Sequence, residues 1–319
     1  MSKNKIKNTI YLIFLLSCGV SQNYSGILNL YPWNVSASVY ATGGDYSTGS
    51  EYSSTSIYFS MDRHWKDRFI VSYEEITISN DNEDFKQYNL FGKDYFFIRP
   101  WFSLGGIVGH FETNFSMVND TLNSPGVYTL NRAIRSDQSG WILGFQLMGD
   151  LENMGYSFNY ISSKYLDTQA FTDEYEYETI FQDTTYNYIS SAKTKFDQIG
   201  LMISKKIGKH IFRIGSSGHF FPDKNYYAHH GVWEYEGKND LYSILSFGFG
   251  ESRYAVDSHA LLVNNNSDIL TEYVSCNMSK RIATHWTVYG NISFHKYQFY
   301  NIPGNYNTRY LTFGLQIRF

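Results

Sequence analysis

The last ten residues, Tyr310-Leu311-Thr312-Phe313-Gly314-Leu315-Gln316-Ile317-Arg318-Phe319, alternate without a break. Leu311, Phe313, Leu315, Ile317 and Phe319 form one face, while Tyr310, Thr312, Gly314, Gln316 and Arg318 form the other. Successive side chains of a strand point to opposite sides, so this is a β-strand that is wholly apolar on one face. The same period recurs upstream. Trp286, Val288, Ile292 and Phe294 alternate with Thr287, Tyr289, Asn291, Ser293 and His295. Met154, Tyr156, Phe158 and Tyr160 alternate with Gly155, Ser157 and Asn159, and Trp141, Leu143, Phe145 and Leu147 repeat the spacing.

Composition agrees with a strand-rich chain that has a large apolar surface to place. The 319 residues include 29 Tyr, 24 Phe and 6 Trp, but only 18% are charged. That charge lies below the roughly 25% usual for soluble domains, and the net charge is −4. Disorder and a basic nucleic-acid binder are both excluded, and the length is ample for a large core.

At the N-terminus, Lys3, Lys5 and Lys7 precede an apolar run from Ile10 to Leu16, followed by small residues at Ser17, Gly19 and Ser21. This order predicts a signal peptide over residues 1–21, since the apolar run is shorter than the roughly 20 residues of a spanning helix. Leu15-Leu16-Ser17-Cys18-Gly19 offers a competing reading as a lipoprotein box with Cys18 lipidated, although Leu16 fits it poorly. Residues 22–33 are then expected to be a short periplasmic segment, and 34–319 the folded domain. Cleavage removes three lysines and no acid, giving a net charge of −7 and leaving Cys276 alone. An intrachain disulfide and cysteine-based metal sites are thereby excluded.

Past the signal no second run of 18 apolar residues exists, so helical membrane spans are excluded. A secreted β-sandwich alternates as well, but the connections here favour a transmembrane barrel. Short polar links are expected at Asp62–Asp67, Asp94–Pro100, Gly149–Asn153, Lys205–Lys209, Gly250–Ser252 and Lys280–Thr284. Longer links are expected near 44–53, 79–86, 112–139, 163–194, 220–239, 263–268 and 298–306. Short turns at one end and long loops at the other are the pattern of barrels that span membranes. Six short turns imply about 14 strands, with 12 or 16 acceptable, and place both chain ends on the short-turn side. Ser204-Lys205-Lys206-Ile207-Gly208-Lys209-His210 is echoed 75 residues later by Ser279-Lys280-Arg281-Ile282-Ala283-Thr284-His285, as equivalent turns of one barrel would be. The fold class read from these features is all-β, a transmembrane antiparallel up-and-down barrel. Closure gives every backbone amide a partner without water. Aromatic groups such as Tyr95-Phe96-Phe97, Trp101-Phe102, His64-Trp65, Trp286 and Tyr226-Tyr227 are expected to form the interfacial girdles. Glu74-Glu75 shifts the phase of alternation between Phe69, Val71, Tyr73 and Ile76, Ile78, as a β-bulge or a strand leaving the lipid would.

With its signal peptide, its final alternating strand and the terminal Phe319, the chain resembles the Gram-negative outer-membrane β-barrel proteins. The resemblance covers residues 34–319 and concerns architecture and compartment, not activity. It implies residence in the outer membrane, contact with its lipid, and Phe319 as the assembly signal read by the barrel-assembly machinery.

If the apolar faces meet lipid, the opposite faces bring Gln146, Asn159, Gln198, Arg213, Asp257, His259, Asn291, His295, Gln316 and Arg318 to the lumen. Mixed charges in a wet interior filter diffusing solutes. Fourteen strands also exceed the roughly eight whose lumen side chains alone can fill. The function expected is a passive, porin-like channel for small hydrophilic solutes, with neither cofactor nor nucleic acid as partner. A surface enzyme, or a structural or secretion-associated barrel binding a partner through its loops, are the alternatives. Loop 163–194 carries Asp167, Asp173, Glu174, Glu176, Glu178 and Asp183, suited to binding cations or to an acidic constriction. His219, Asp223, His229, His230, Glu234 and Glu236 fall near 220–239 without a zinc spacing, so no metal site is expected. His219 with Asp223 is the one local pairing that suits an enzyme, and no surrounding motif supports it.

Overall fold

The computed structural model describes residues 33–63, 67–80, 83–119, 129–176, 184–254, 256–257, 262–263, 268–300 and 303–319. The expected signal peptide with Cys18, together with His64, Trp65, Glu178, Asp183 and His259, lies outside the described residues. The chain begins with β1 (Trp33–Tyr46), β2 (Glu51–Arg63), β3 (Asp67–Ser79), β4 (Glu83–Arg99), β5 (Phe102–Asn119) and β6 (Thr129–Leu151). It continues with β7 (Met154–Glu176), β8 (Thr184–Ile207), β9 (His210–Phe220), β10 (Asn225–Glu236) and β11 (Leu241–Ser252). Two short strands, β12 (Val256–Asp257) and β13 (Leu262–Val263), precede β14 (Ile269–Arg281), β15 (Trp286–Gln298) and β16 (Asn305–Arg318). Fourteen strands, each antiparallel to its neighbours, close into one barrel, while β12 and β13 pair separately as a ribbon.

Closure is made by β1 against β16, from Ser36 opposite Arg318 to Tyr46 opposite Thr308. The alternation that marks the last strand thus fixes its partner's faces too, since a slip of one residue would turn apolar Leu311, Phe313 and Leu315 inward. In the folded molecule these three, with Val39, Val108, Leu143, Leu201, Ile214 and Phe247, are exposed on the outer wall. An apolar belt of this extent belongs in lipid rather than water. Trp101 and Trp286 stand exposed near its short-turn edge, as does Phe96, but Tyr95 and Tyr226, expected in the girdles, are buried inside.

The short-turn end is built by tight reversals such as Glu152-Asn153 and Gly208-Lys209, where Gly208 takes the left-handed φ of 60° that glycine tolerates without Cβ strain. Several expected connections are corrected: Asp94–Arg99 is the end of β4, and residues 112–119 and 129–139 belong to β5 and β6. Residues 225–236 form β10 rather than a loop, and Gly250–Ser252 is the end of β11 rather than a turn. The reversal at the short-turn end is instead Gly237–Asp240, between β10 and β11, and the count of fourteen stands. The period was hidden in β10 because its outward residues are Tyr227, His229, Gly231, Trp233 and Tyr235, whereas Val232 points inward. Glu74-Glu75 makes no bulge: the register of β3 runs unbroken against β2 and β4. The strand leaves the lipid there, and Ile76 and Ile78 turn to the interior because Glu75 and Thr77 now face outward.

Acidic residues expected in a 163–194 loop lie mostly on a strand. Asp167, Asp173, Glu174 and Glu176 belong to β7, which pairs with β8 from Met154 to Tyr175. Strands of 23 and 24 residues far exceed the roughly ten needed to cross a bilayer. In sequence their outer halves keep no sustained apolar alternation, and so carry no membrane-strand signature.

Candidate functional site

Large side chains fill one half of the barrel interior. Phe111 meets Tyr165 edge-on at 4.6 Å, Tyr165 meets Phe196 at 5.4 Å, and Phe196 stacks on Phe221 at 4.6 Å. Phe91, Ile107, Ile142, Ile161, Tyr226, Val256 and Ile269 complete this cluster. Tyr254 and Val256, just beyond β11, lie against it: Gln198 Nε2 donates to the Val256 carbonyl at 3.0 Å, and Val256 N donates back to Gln198 Oε1 at 3.1 Å. Arg253 lies 3.5 Å from the Tyr300 ring, and Tyr300 in turn donates its hydroxyl to Asp223 Oδ2 at 2.8 Å. That hydrogen bond holds the Asp223 carboxyl below its ordinary range, where Arg253 adds to it, and raises the Tyr300 hydroxyl against the pull of the same arginine.

The other half, walled by β1–β5 and β14–β16, holds a cavity of about 1020 Å³. Seven tyrosines line it, two each from β1, β2 and β16 and one from β15. Tyr52 meets Tyr310 edge-on at 4.8 Å, Tyr297 stacks on Tyr306 at 5.2 Å, and His295 lies 5.1 Å from Tyr310. Ile76, Ile78, Phe85 and Phe115 form an apolar wall opposite. Three carboxylates, Glu74, Glu83 and Asp268, complete the chamber, and no lysine or arginine does so among the described residues. Glu74 is buried and accepts from Asn89 Nδ2 at 2.9 Å and Ser56 Oγ at 3.3 Å.

Toward the short-turn end the chamber narrows at Tyr40, whose ring contacts Tyr58 and Tyr289, each at 5.5 Å. Tyr289 is held by donating to Gln316 Oε1 at 2.8 Å, and Gln316 Nε2 donates to Ser36 Oγ at 3.3 Å. Below it lies a second cavity of about 430 Å³, lined among others by Tyr289, Arg281, Arg318 and Glu236.

The residues expected to line the lumen are scattered over these parts. His295 lines the chamber, Gln316 orients the tyrosine at its floor, and Arg318 borders the lower cavity. Asn291 also lines the chamber, while Asn159 faces inward across from Gly200. Gln146 is fully buried and accepts from Tyr95, Gln198 holds the inward segment, and Asp257 belongs to β12. Arg213 Nη2 bonds Glu234 Oε1 at 2.8 Å. Asp167 is bonded by Ser136 Oγ at 2.8 Å, within the barrel wall. His219 and Asp223 share no hydrogen bond among the described residues. His219 contacts Ser217 Oγ through Nε2, and Asp223 binds Tyr300. Among the described residues, no three His, Cys, Asp or Glu converge as metal ligands would. Cys276 is a free thiol on β14 facing Leu245 and Ile292.

What sequence reasoning missed is the tyrosine chamber and Glu74. The signal was present: Tyr306 and Tyr310 share the phase of Gln316 on β16, opposite the aliphatic face.

No protein-family description matches this chain, and no curated protein does either. Among solved structures the barrel is similar to the monoaromatic hydrocarbon channel CymD, with a TM-score of 0.63 at 8% identity, over 90% of this chain and 88% of that one. It is also similar to the toluene transporter TbuX of Ralstonia pickettii, with a TM-score of 0.58 at 9% identity, covering 90% and 89%. A FadL homologue of Pseudomonas aeruginosa gives a TM-score of 0.56 at 8% identity over 90% and 89%. At such identities the likeness is one of fold. With the apolar belt and the closed fourteen-stranded topology, it gives this chain the fold of a membrane-spanning β-barrel.

Proposed function

We propose that the barrel is a passive channel for small solutes, taken from outside into the tyrosine chamber and released past Tyr40 and Tyr289 to the lower cavity. The observation that carries this reading is the pair of cavities stacked along one side of the barrel, divided by a contact of side chains rather than of backbone. The chamber suits solutes that combine hydrogen-bonding groups with an apolar part, since hydroxyls and rings alternate on its walls. Fully hydrophilic solutes of the porin kind fit the lower cavity equally well. The similar folds of a hydrocarbon channel and a toluene transporter support transport of small molecules with an apolar part. Within this reading Phe319, exposed at the short-turn end and bonded through its N–H to Val35, serves as the assembly signal.

The test is single-channel recording of the detergent-purified protein in a planar bilayer, with liposome swelling for uncharged solutes. Discrete conductance steps and solute-dependent swelling are expected. A folded, heat-modifiable barrel that neither conducts nor passes solute overturns the reading.

A further inference from the structure

We propose that the tyrosine chamber binds organic ammonium cations, an inference that names the solute class and rests on the channel reading above. Three features of the chamber converge on this chemistry. First, Tyr46, Tyr52, Tyr306 and Tyr310 crowd one corner of the chamber lining with contacting ring centroids 4.8 to 6.4 Å apart, in edge and tilted contacts. The electron-rich faces of such rings attract cations, most strongly when water is excluded. Second, the charges that line the chamber are all carboxylates among the described residues, with His295 as the one titratable base. Third, Glu74 is 6% exposed within the barrel wall, and its oxygens are met by an amide and a hydroxyl rather than by a basic side chain. A carboxylate so placed needs a positive partner to stay ionised at low cost.

The aromatic walls decide which cation. A small metal ion holds its water tightly and gains little from tyrosine rings beside Ile76, Ile78 and Phe85. An alkylammonium is weakly hydrated, presents a charge spread over methyl or methylene groups, and buries them against those walls while Glu74 neutralises it. The volume of about 1020 Å³ holds such an ion together with its apolar substituent.

Choline and its uncharged carbon isostere, 3,3-dimethylbutan-1-ol, are the probes, because they differ in charge but hardly in shape. Each is titrated into the detergent-purified full-length barrel by calorimetry, with tyrosine fluorescence as a second readout. Choline is expected to bind at least about tenfold more tightly than the isostere. Glu74→Gln is expected to weaken choline about tenfold and leave the isostere unchanged. Tyr310→Leu, which keeps every carboxylate, is expected to weaken choline as well, and heat-modifiable migration identifies the folded variants. Equal binding of the two probes, or choline binding untouched by both substitutions, overturns the inference. A barrel that conducts ions but takes up no choline likewise overturns it and leaves the channel reading intact. A barrel that binds choline in this manner but never conducts supports the site and removes the channel.

Discussion

The hydroxyl of Tyr95 on β4 donates to Oε1 of Gln146 on β6 at 2.8 Å, reaching across the whole width of β5. It can do so because the residue between them in register is Gly105, opposite Tyr95 on one side and Gln146 on the other. A Cβ there would lie 2.7 Å from Tyr95 Cδ1, so the ring lies flat on bare backbone. Tyr95→Phe removes the hydrogen bond and strands a buried acceptor, an expected loss of about 1–3 kcal/mol. Gly105→Val lifts the ring off the wall and is expected to lose as much or more. Guanidinium unfolding in detergent measures both, and unchanged midpoints would refute this account of the bridge.

Arg213 and Glu234 make a second interior contact near the short-turn end, and Tyr242 also donates its hydroxyl to Glu234. Glu234 is 4% exposed, while the Arg213 side chain keeps 34% exposure, so solvent screens part of the pair. Removing the buried partner alone leaves a half-buried cation uncompensated. Glu234→Gln is therefore expected to destabilise the barrel by about 1–3 kcal/mol. The double variant Arg213→Met with Glu234→Met is expected to recover most of that loss, because no charge is then left alone. Chemical denaturation of both decides it, and a double variant weaker than Glu234→Gln would contradict the argument.

The Gln198 side chain is the tether of the inward segment, bonding both the N–H and the carbonyl of Val256 as a strand neighbour would. Gln198→Leu cannot make either bond and leaves two buried backbone groups without partners. The stretch around Val256 is expected to leave the cluster, raising single-channel conductance and admitting protease near Tyr254 and Val256. Wild-type conductance and cleavage rates in the variant would show that the aromatic cluster alone holds the segment.

Much of the fold was legible because lipid imposes a one-sided pattern. Leu311, Phe313 and Leu315 declare their strand without help from any partner. Legibility fails wherever the bilayer stops or the outer face is not aliphatic. The sequence of the outer halves of β7 and β8 keeps no apolar alternation, so Asp173 and Glu174 read as loop although they are paired with Tyr186 and Thr185. His229 and Gly231 on the lipid side of β10 erase its period. The site was less legible than the fold for a different reason. A tyrosine suits a girdle and a lumen equally, and only the register that aligns Tyr46 with Thr308 and Tyr52 with Ile78 shows that these rings meet inside.

The clamp between Asp223 and Tyr300 joins two connections on the outer side, and its pH dependence follows from the shifts it causes. The Asp223 carboxyl is lowered by the Tyr300 hydroxyl, so its stabilisation is present above the ordinary value of about 3.9 and fades as pH falls through the lower folded value. The Tyr300 hydroxyl is raised, chiefly by the same bond, so its share is present below its ordinary value near 10 and is lost as pH rises through the higher folded value. Between these limits the clamp is constant. Flicker of channel current is expected to stay level from about pH 5 to 9 and to increase below about pH 4. Asp223→Asn is expected to remove the acid-side increase. Acid flicker that survives in the variant would place its cause elsewhere.

Tyr289 forms the narrowest part of the proposed path together with Tyr40, and its orientation is imposed from behind. Its hydroxyl is fixed by Gln316, which Ser36 holds in turn, and Ser36 is bonded to Ser60 at 2.7 Å. Tyr40 is placed by a gap on the neighbouring strand: a Cβ at Gly314 would lie 2.2 Å from its Cδ1, so the ring occupies the space that glycine leaves at the closing seam. Both rings are therefore set by contacts on β1 and β16, not by the solute. Tyr289→Ala is expected to join the two cavities and raise conductance several-fold without altering the strand register. Gln316→Leu keeps the ring but frees it, and is expected to give rapid switching between two conductance levels rather than one larger level. If both variants conduct as the unmodified barrel does, current does not pass between Tyr40 and Tyr289, and the path must run through the half of the barrel filled by Phe111 and Phe196.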